Sequence, residues 1–514
     1  MLQRLFLFVL VSGFITLIVA GSCVHKSQLV VTPDGNFPPD VAKIFLNKCA
    51  ISGCHNQASY KNASNFLMDT WDHLFNGSQN GAMVVPYSTA YSPLLYRVNT
   101  DSSLGFVQPP TMPYSTPSRK MSALTKTEYM TLYNWIQAGA PDKYGNIPFA
   151  DNAASRQKIY LAHQGADIVA VIDGQRKVIM RYINVGLNPA SLEAAHDIEC
   201  SCDGMSAYLC FYSGNYAQKL DCTRDTVTAS LDLNTASGMP GGNSAGSGWS
   251  VLNTSLGVDT EIVITNYSGA WMGLMRVNTQ TMTASPSDFF PHGSSPDVNY
   301  PHGVEQNATS DTFYITNQLG NSIWIYAPYT KPHAYNNLIS IDGNTATNDK
   351  SSLDPHQIQM IPDFSKYFVS CQASNEVRVM DRLTNKLITT IPVGKYPQEM
   401  DLSESMHYLF VACMLDSNAN TLPGCKGSVY VINYDTYQVV GVINGYFYQP
   451  HDVLVDEQDG YIYVCSTNGS GTGHHLIPGG APGWYSVFNL SNLAPADNNQ
   501  YQALILPYAL TCRF

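Results

Sequence analysis

Two sets of side chains have the types and spacing for chemistry. The first is the heptad Cys49-Ala-Ile-Ser-Gly-Cys54-His55. Two thiols followed directly by an imidazole are what covalent c-type haem requires: the thiols add across the vinyl groups and the imidazole reaches the iron axially. The usual motif has two residues between the cysteines, whereas four stand here. A disulfide with an incidental histidine is a second reading. Zinc is a third, and it lacks a nearby second ligand pair. Downstream, Pro109-Pro110-Thr111-Met112-Pro113 is a rigid loop presenting a thioether. Among the thioethers of Met83, Met112 and Met121, that of Met112 is the one whose sulfur flanking prolines fix in place.

The second set is a register of histidines. A recurring position after residue 150 is filled by His163, Phe211, Asn266, Asn317, Cys371, Cys413 and Ser466, at intervals of 48, 55, 51, 54, 42 and 53. Counting back 15 residues gives His196 from Phe211, His302 from Asn317, His356 from Cys371, Gln398 from Cys413 and His451 from Ser466. Four of these five follow a proline: Pro301, Pro355, Pro397 or Pro450. The same count gives Val251 in the third unit, and Tyr508 is the counterpart for the first. Neutral imidazoles converging from separate elements suit copper or zinc, so His196, His302, His356 and His451 form a candidate metal site. A structural histidine copied by duplication, or one that contacts substrate, gives the same pattern.

The elements that must position these groups are mostly strands. The 514 residues are 44% hydrophobic and only 13% charged, with 32 Tyr, 38 Gly and 29 Pro. A typical domain is about 25% charged, so long exposed helices and coiled coils are excluded. The net charge of -12 argues against a nucleic-acid surface, which needs Lys and Arg. Helical signals are confined to the front of the chain. Pro39 to Lys48 can form a short helix entering the heptad, and Thr125 to Ala138 an amphipathic one capped by Thr125 or Thr127 and ended by Gly139. From residue 150 onward, paired strand segments such as "IVITN…MGLMRVN", "FYITN…SIWIYAP" and "LFVAC…SVYVIN" recur seven times. That periodicity reads as a seven-bladed β-propeller, closed by a C-terminal strand that completes blade one.

The stretches "NKCAISGCHN" and "NWIQAGAPD" resemble the cytochrome c-like domains of bacterial surface proteins. The order of helix, Cys-His motif, Met-Pro loop and closing helix resembles a class I cytochrome c over about residues 38–145. This resemblance implies Cys49 and Cys54 as thioether attachments, His55 as proximal ligand and Met112 as distal ligand. The "ITN" and "LITTIPVGKYP" segments resemble propellers of the Tyr-Val-Thr-Asn (YVTN) repeat type, which implies fold and hardly any activity. The fold class expected is therefore mainly β, a seven-bladed propeller behind a small α-helical cytochrome c-like domain.

Met1 to Ser22 has the pattern of an export signal, and Ala20-Gly21-Ser22-Cys23 resembles a bacterial lipobox. That implies acylation of Cys23; a plain signal peptide or short anchor is the other reading. The expected organisation is 1–22 signal, 23–37 lipidated linker, 38–148 haem domain and 149–514 propeller. Of the 12 cysteines, Cys210, Cys371, Cys413 and Cys465 read as buried strand thiols, and Cys512 falls in the closing tail. Cys200, Cys202, Cys222 and Cys425 have loop-like surroundings in which some can form disulfides.

Two functions compete. In one, an exported, lipid-anchored cytochrome in the cell envelope, at the periplasmic or outer face, exchanges electrons with redox partner proteins. Its propeller then holds copper, zinc or a second cofactor for an oxidoreductase reaction on a small molecule. In the other, the propeller is a non-enzymatic binding surface. The first architecture resembles cytochrome-type nitrite reductases, which have eight blades, and the multi-His copper cluster of nitrous oxide reductase. Neither resemblance carries over a substrate.

Overall fold

A computed structural model describes residues 33–117, 119–151, 154–214, 216–232, 248–253, 260–267, 273–284, 289–290, 300–327, 337–417, 424–468, 481–497 and 500–513. The expected export signal and the Cys23 lipobox lie outside the described residues.

Strand pairing builds seven four-stranded antiparallel sheets from the described residues, and together they form a seven-bladed β-propeller. Blade two is representative. It runs outward from Ala195–Cys200 through Ser206–Phe211 and Tyr216–Asp221 to Thr226–Asp232. The innermost strands of blades three to seven are Gly248–Asn253, Pro301–Gln306, Pro355–Met360, Pro397–Ser403 and Pro450–Asp456. Blade one is closed by the chain end: Pro507–Arg513 pairs with Lys158–His163, while Tyr501–Ile505 is the outer strand of blade seven. The ring is thus fastened by two strands from opposite ends of the propeller sequence.

The strands second from the axis are buried on both faces. Ile159 to Ala162, Ala207 to Phe211 and Leu409 to Cys413 have no exposed surface. These continuous apolar runs therefore form the middle of a blade rather than an alternating surface strand. Hairpins between outer strands share an Asx turn: Asp221 accepts from the Thr223 amide and hydroxyl, Asp381 from those of Thr384, and Asn433 from those of Thr436.

Neighbouring blades are joined near the axis by side chain-to-backbone bonds. The hydroxyls of Thr265, Thr316 and Ser370 donate to the carbonyls of His302, His356 and Gln398 in the next blade, at 2.7, 2.8 and 2.8 Å. Thr316 Oγ1 also accepts from the Gly303 amide at 2.8 Å.

The N-terminal unit has short helices at Pro39–Ile44, Trp71–Leu74 and Pro93–Val98, and a three-turn helix at Lys126–Gln137. Pro39–Ile44 continues as a wider turn over Phe45–Cys49. Thr125 is the N-cap of the last helix, and Glu128 returns a bond to the Thr125 amide. Glu128 also pairs with Lys48 at 2.7 Å, tying that helix to the heptad. Phe37, Phe45 and Trp135 pack edge to face with centroids 5.1, 5.8 and 6.5 Å apart. Gly139 ends the helix at φ +95, where a Cβ would lie 2.5 Å from the Tyr87 ring. The unit rests on the propeller through Asp72–Arg176 at 2.7 Å and Tyr91–Tyr182 rings 5.2 Å apart. Among the described residues, no helix is long and apolar enough to cross a membrane.

One sequence expectation changes here. Cys200 ends a strand and Cys222 directly follows one; both are buried and neither is in a disulfide.

Thr316→Val keeps the shape of the side chain but leaves the His356 carbonyl and Gly303 amide without its hydroxyl. The expected cost is about 1–3 kcal/mol in chemical denaturation. An unchanged midpoint would show that the inter-blade bond adds nothing.

Candidate functional site

The structure presents two candidate sites. The first is a cleft of about 370 Å³ in the N-terminal unit, lined by Cys49, Cys54, His55, Met83 and Met112, with Gln502 contributed by the propeller. The four residues singled out in the sequence therefore share one cavity, and so does one of the two competing methionines. Met121 is not in this lining. The heptad is folded back on itself: the His55 amide donates to the Cys49 carbonyl at 3.1 Å, and the Cys54 amide to Ile51 at 3.0 Å. His55 Nδ1 lies 2.9 Å from the Phe66 carbonyl. That contact orients the ring with Nδ1 as donor and Nε2 as the lone-pair nitrogen. Burial lowers the pKa of His55, partly opposed by this bond, so the imidazole is neutral at pH 7. Burial, with the neighbouring Cys54, pushes the Cys49 thiol up to about 12. Arg119 closes the loop by donating to the Ser52 carbonyl and sits 3.0 Å from Cys54 Sγ.

The second site is the axis of the propeller. The sequence register is real in space, because Ala195, Pro301, Pro355, Pro397 and Pro450 pair with Phe211, Asn317, Cys371, Cys413 and Ser466. In each case the candidate residue follows immediately. Tyr508 completes the series in blade one, following Pro507, which pairs with His163. A β-bulge falls at this point of the inner hairpin in every blade, a device that re-aims a side chain.

Blade three corrects the count. Gly248 pairs with Asn266, so Trp249 occupies the register and Val251 lies across from Ile264 inside the core. The connection in that hairpin is longer than in its neighbours, which shifted the sequence spacing.

The histidine and tyrosine rings form a chain around the mouth. Centroids are 5.8 Å apart for His196–His302, 3.9 Å for His302–His356, 6.0 Å for His356–His451, 3.6 Å for His451–Tyr508 and 4.8 Å for Tyr508–His196. The expected convergence of four imidazoles on one point is not what forms. His302 and His356 are adjacent, whereas His196 and His451 lie to either side with Tyr508 between them. His163, placed in the same layer by the sequence, is engaged by backbone on both nitrogens: Nδ1 lies 3.2 Å from the Ile168 carbonyl, and Nε2 accepts from the Leu504 amide at 3.2 Å.

Below the rings is a channel cavity of about 250 Å³ lined by six carboxylates, Asp197, Glu199, Glu305, Glu399, Asp401 and Asp452. Sequence reading missed this group. Its signal was an acid one or three residues after the register position, as in "HDIE", "QEMD" and "HDVL". Four of the six are blade-to-blade braces. Asp197 accepts from the Val251 amide at 2.8 Å, Glu305 from Met360 at 3.4 Å, Asp401 from Val455 at 2.7 Å and Asp452 from Leu510 at 2.6 Å. Burial pushes Asp197 up to about 6 and Glu305 and Asp401 up to about 7, against these backbone bonds. Glu399 is raised further by burial and by Asp452 and Asp197. Its Oε1 lies 3.4 Å from His356 Nδ1.

No protein-family model matches the chain, and no curated protein aligns with it. Solved structures similar to it include a candidate 6-phosphogluconolactonase from Bacteroides uniformis, 14% identical over 70% of this chain and all of that one, with TM-score 0.49. A second such protein, from Bacteroides fragilis, is 12% identical over 70% of this chain and 98% of its own, with TM-score 0.48. A protein of unknown function from Desulfotomaculum acetoxidans is 13% identical over 69% and 100%, with TM-score 0.45. These values assign no activity.

Glu305 provides a pH prediction. Its folded pKa of about 7 lies above the unfolded value of about 4.3. The native state thus keeps a proton over a window in which the unfolded chain has lost it, and stability falls as pH rises through that window. Relative to Glu305→Gln, the wild type is expected to lose on the order of 1 kcal/mol between pH 4.5 and 7.5, after allowance for channel water. A stability difference independent of pH would show that Glu305 titrates normally.

Proposed function

We propose that the chain is an exported electron-transfer protein whose N-terminal unit binds haem c covalently. The observation that carries this reading is the shared cleft: two thiols, a neutral imidazole with its Nδ1 side already engaged, and a thioether line one cavity of about 370 Å³. This donor set fits the group, as a pocket of this size falls in the range that holds organic cofactors. When bound, the haem supplies a one-electron carrier.

The chain's own residues do the rest. Cys49 and Cys54 would hold the group through two thioether bonds, and His55 would offer its Nε2 as an iron donor. The Phe66 carbonyl fixes the tautomer and orientation of that ring and raises its basicity. Met112 would be the second iron donor, a choice that raises the potential relative to a second histidine. The Met112 amide donates to the Arg97 carbonyl at 2.6 Å, holding the loop against the helix Pro93–Val98. Lys48–Glu128 and the Phe37–Phe45–Trp135 cluster keep the heptad in place. In this reading Met1 to Ser22 direct export and Cys23 carries a lipid anchor at the cell envelope. The mature chain then meets redox partner proteins outside the cytoplasm.

Expression with a c-type haem maturation system tests this. Haem iron is expected to remain with the chain after denaturation and acid–acetone extraction, at one per chain. Cys49→Ala/Cys54→Ala should release it. Met112→His should lower the midpoint potential, and Met83→Leu should leave it unchanged. Extractable haem, or none, would overturn the assignment. A potential that follows Met83 would replace Met112 with Met83.

A further inference from the structure

We propose that His302, His356 and Glu399 form a divalent transition-metal site, suited to zinc or copper, at the mouth of the propeller channel. One ligand atom from each of the three lies within 4.8 Å of the others. The spacing is close to what coordination requires. Two ligands held about 2.0–2.1 Å from tetrahedral zinc stand about 3.4 Å apart, and His356 Nδ1 is 3.4 Å from Glu399 Oε1. The His302 and His356 rings are 3.9 Å apart, which brings a nitrogen of His302 into the same group of ligand atoms.

The backbone beneath the site is fixed. His302, His356 and Glu399 come from the innermost strands of three successive blades. The carbonyls of His302, His356 and Gln398 are held by Thr265, Thr316 and Ser370 of the preceding blades. A ligand set anchored in this way loses little freedom on binding.

Neighbouring residues define the rest of the coordination shell. His196 and His451 are 5.8 and 6.0 Å away by ring centroid, from His302 and His356 respectively. They bracket the site without completing it. Two imidazoles and one carboxylate leave a fourth position for water or a small ligand, the arrangement of a reactive rather than a closed structural zinc site. Glu399 is also part of the channel wall, which it shares with Asp197 and Asp452. The nitrogen and oxygen donors select zinc or copper over calcium and magnesium, which prefer all-oxygen shells. The site does not depend on the haem reading, because it shares no residue with the N-terminal cleft.

The test uses the full-length mature chain, stripped with chelator and titrated with zinc ion alone by calorimetry. One equivalent is expected, displaced by copper(II). His302→Ala and His356→Ala should each weaken binding at least 100-fold and Glu399→Gln at least tenfold, while His196→Ala should change it less than threefold. Chelator-treated variants should melt with the stripped wild type; His302→Gln and His356→Gln replace any alanine variant that does not. The same titration of Cys49→Ala/Cys54→Ala separates this site from the haem, and zinc binding there should be unchanged. Absence of stoichiometric zinc, smaller losses than these, or an equal loss in His196→Ala would overturn the proposal.

Discussion

Six times around the ring, a residue other than glycine is held in the left-handed region just before the innermost strand. Ala194, Tyr300, Asp354, Tyr396, Gln449 and Leu506 have φ values of 62, 54, 55, 66, 59 and 50. Each such residue costs roughly 1–3 kcal/mol and persists only where its surroundings hold it. Here the restraint is a hydrogen bond. The amides of Tyr212, Gln318, Gln372, Met414, Thr467 and Gln164 donate to the six carbonyls in turn. The corner therefore fixes where the innermost strand starts, and the bulge that follows decides which side chain is presented at the channel mouth.

The rest of the axis follows from that corner. Prolines suit the first strand position because their missing amide costs no ladder bond there. In three blades the next residue, His302, His356 or Gln398, has its carbonyl taken by a hydroxyl of the preceding blade, so its side chain projects from a fixed base. The carboxylates one and three residues further on brace the next blade through backbone amides. Most of the acidic lining is thus architecture, and Glu399, which faces the two adjacent imidazoles, is the member set apart by its contact with His356. A channel can in this way be rich in ionisable groups while only one corner of it has ligand geometry.

Much of this was legible in the sequence. The blade period, the constant lag and the closing strand were readable because antiparallel hairpins of fixed length convert sequence distance into pairing. The lag failed only in blade three, where a longer connection moved the register from Val251 to Trp249. The grouping of the histidines was not legible. Whether His302 meets His356 or His451 depends on ring rotation and on the angular order of the blades. Glu399 was hidden because the register position before it is Gln398, which shows no sign of chemistry. In the N-terminal unit, the Thr125 cap could be read from its own spacing. The packing of Phe37 and Phe45 on Trp135, and the Phe66 carbonyl behind His55, join residues far apart in the chain and leave no local pattern.

On the two proposals together, the chain carries two separate metal centres, one in the N-terminal cleft and one at the propeller mouth. Anomalous X-ray scattering at the iron and zinc edges, from crystals of the haem-loaded chain grown with zinc, tests it most directly. An iron peak bonded to His55 and a zinc peak between His302, His356 and Glu399 are expected. A zinc peak centred on His196 or His451, or no iron peak at His55, would contradict it.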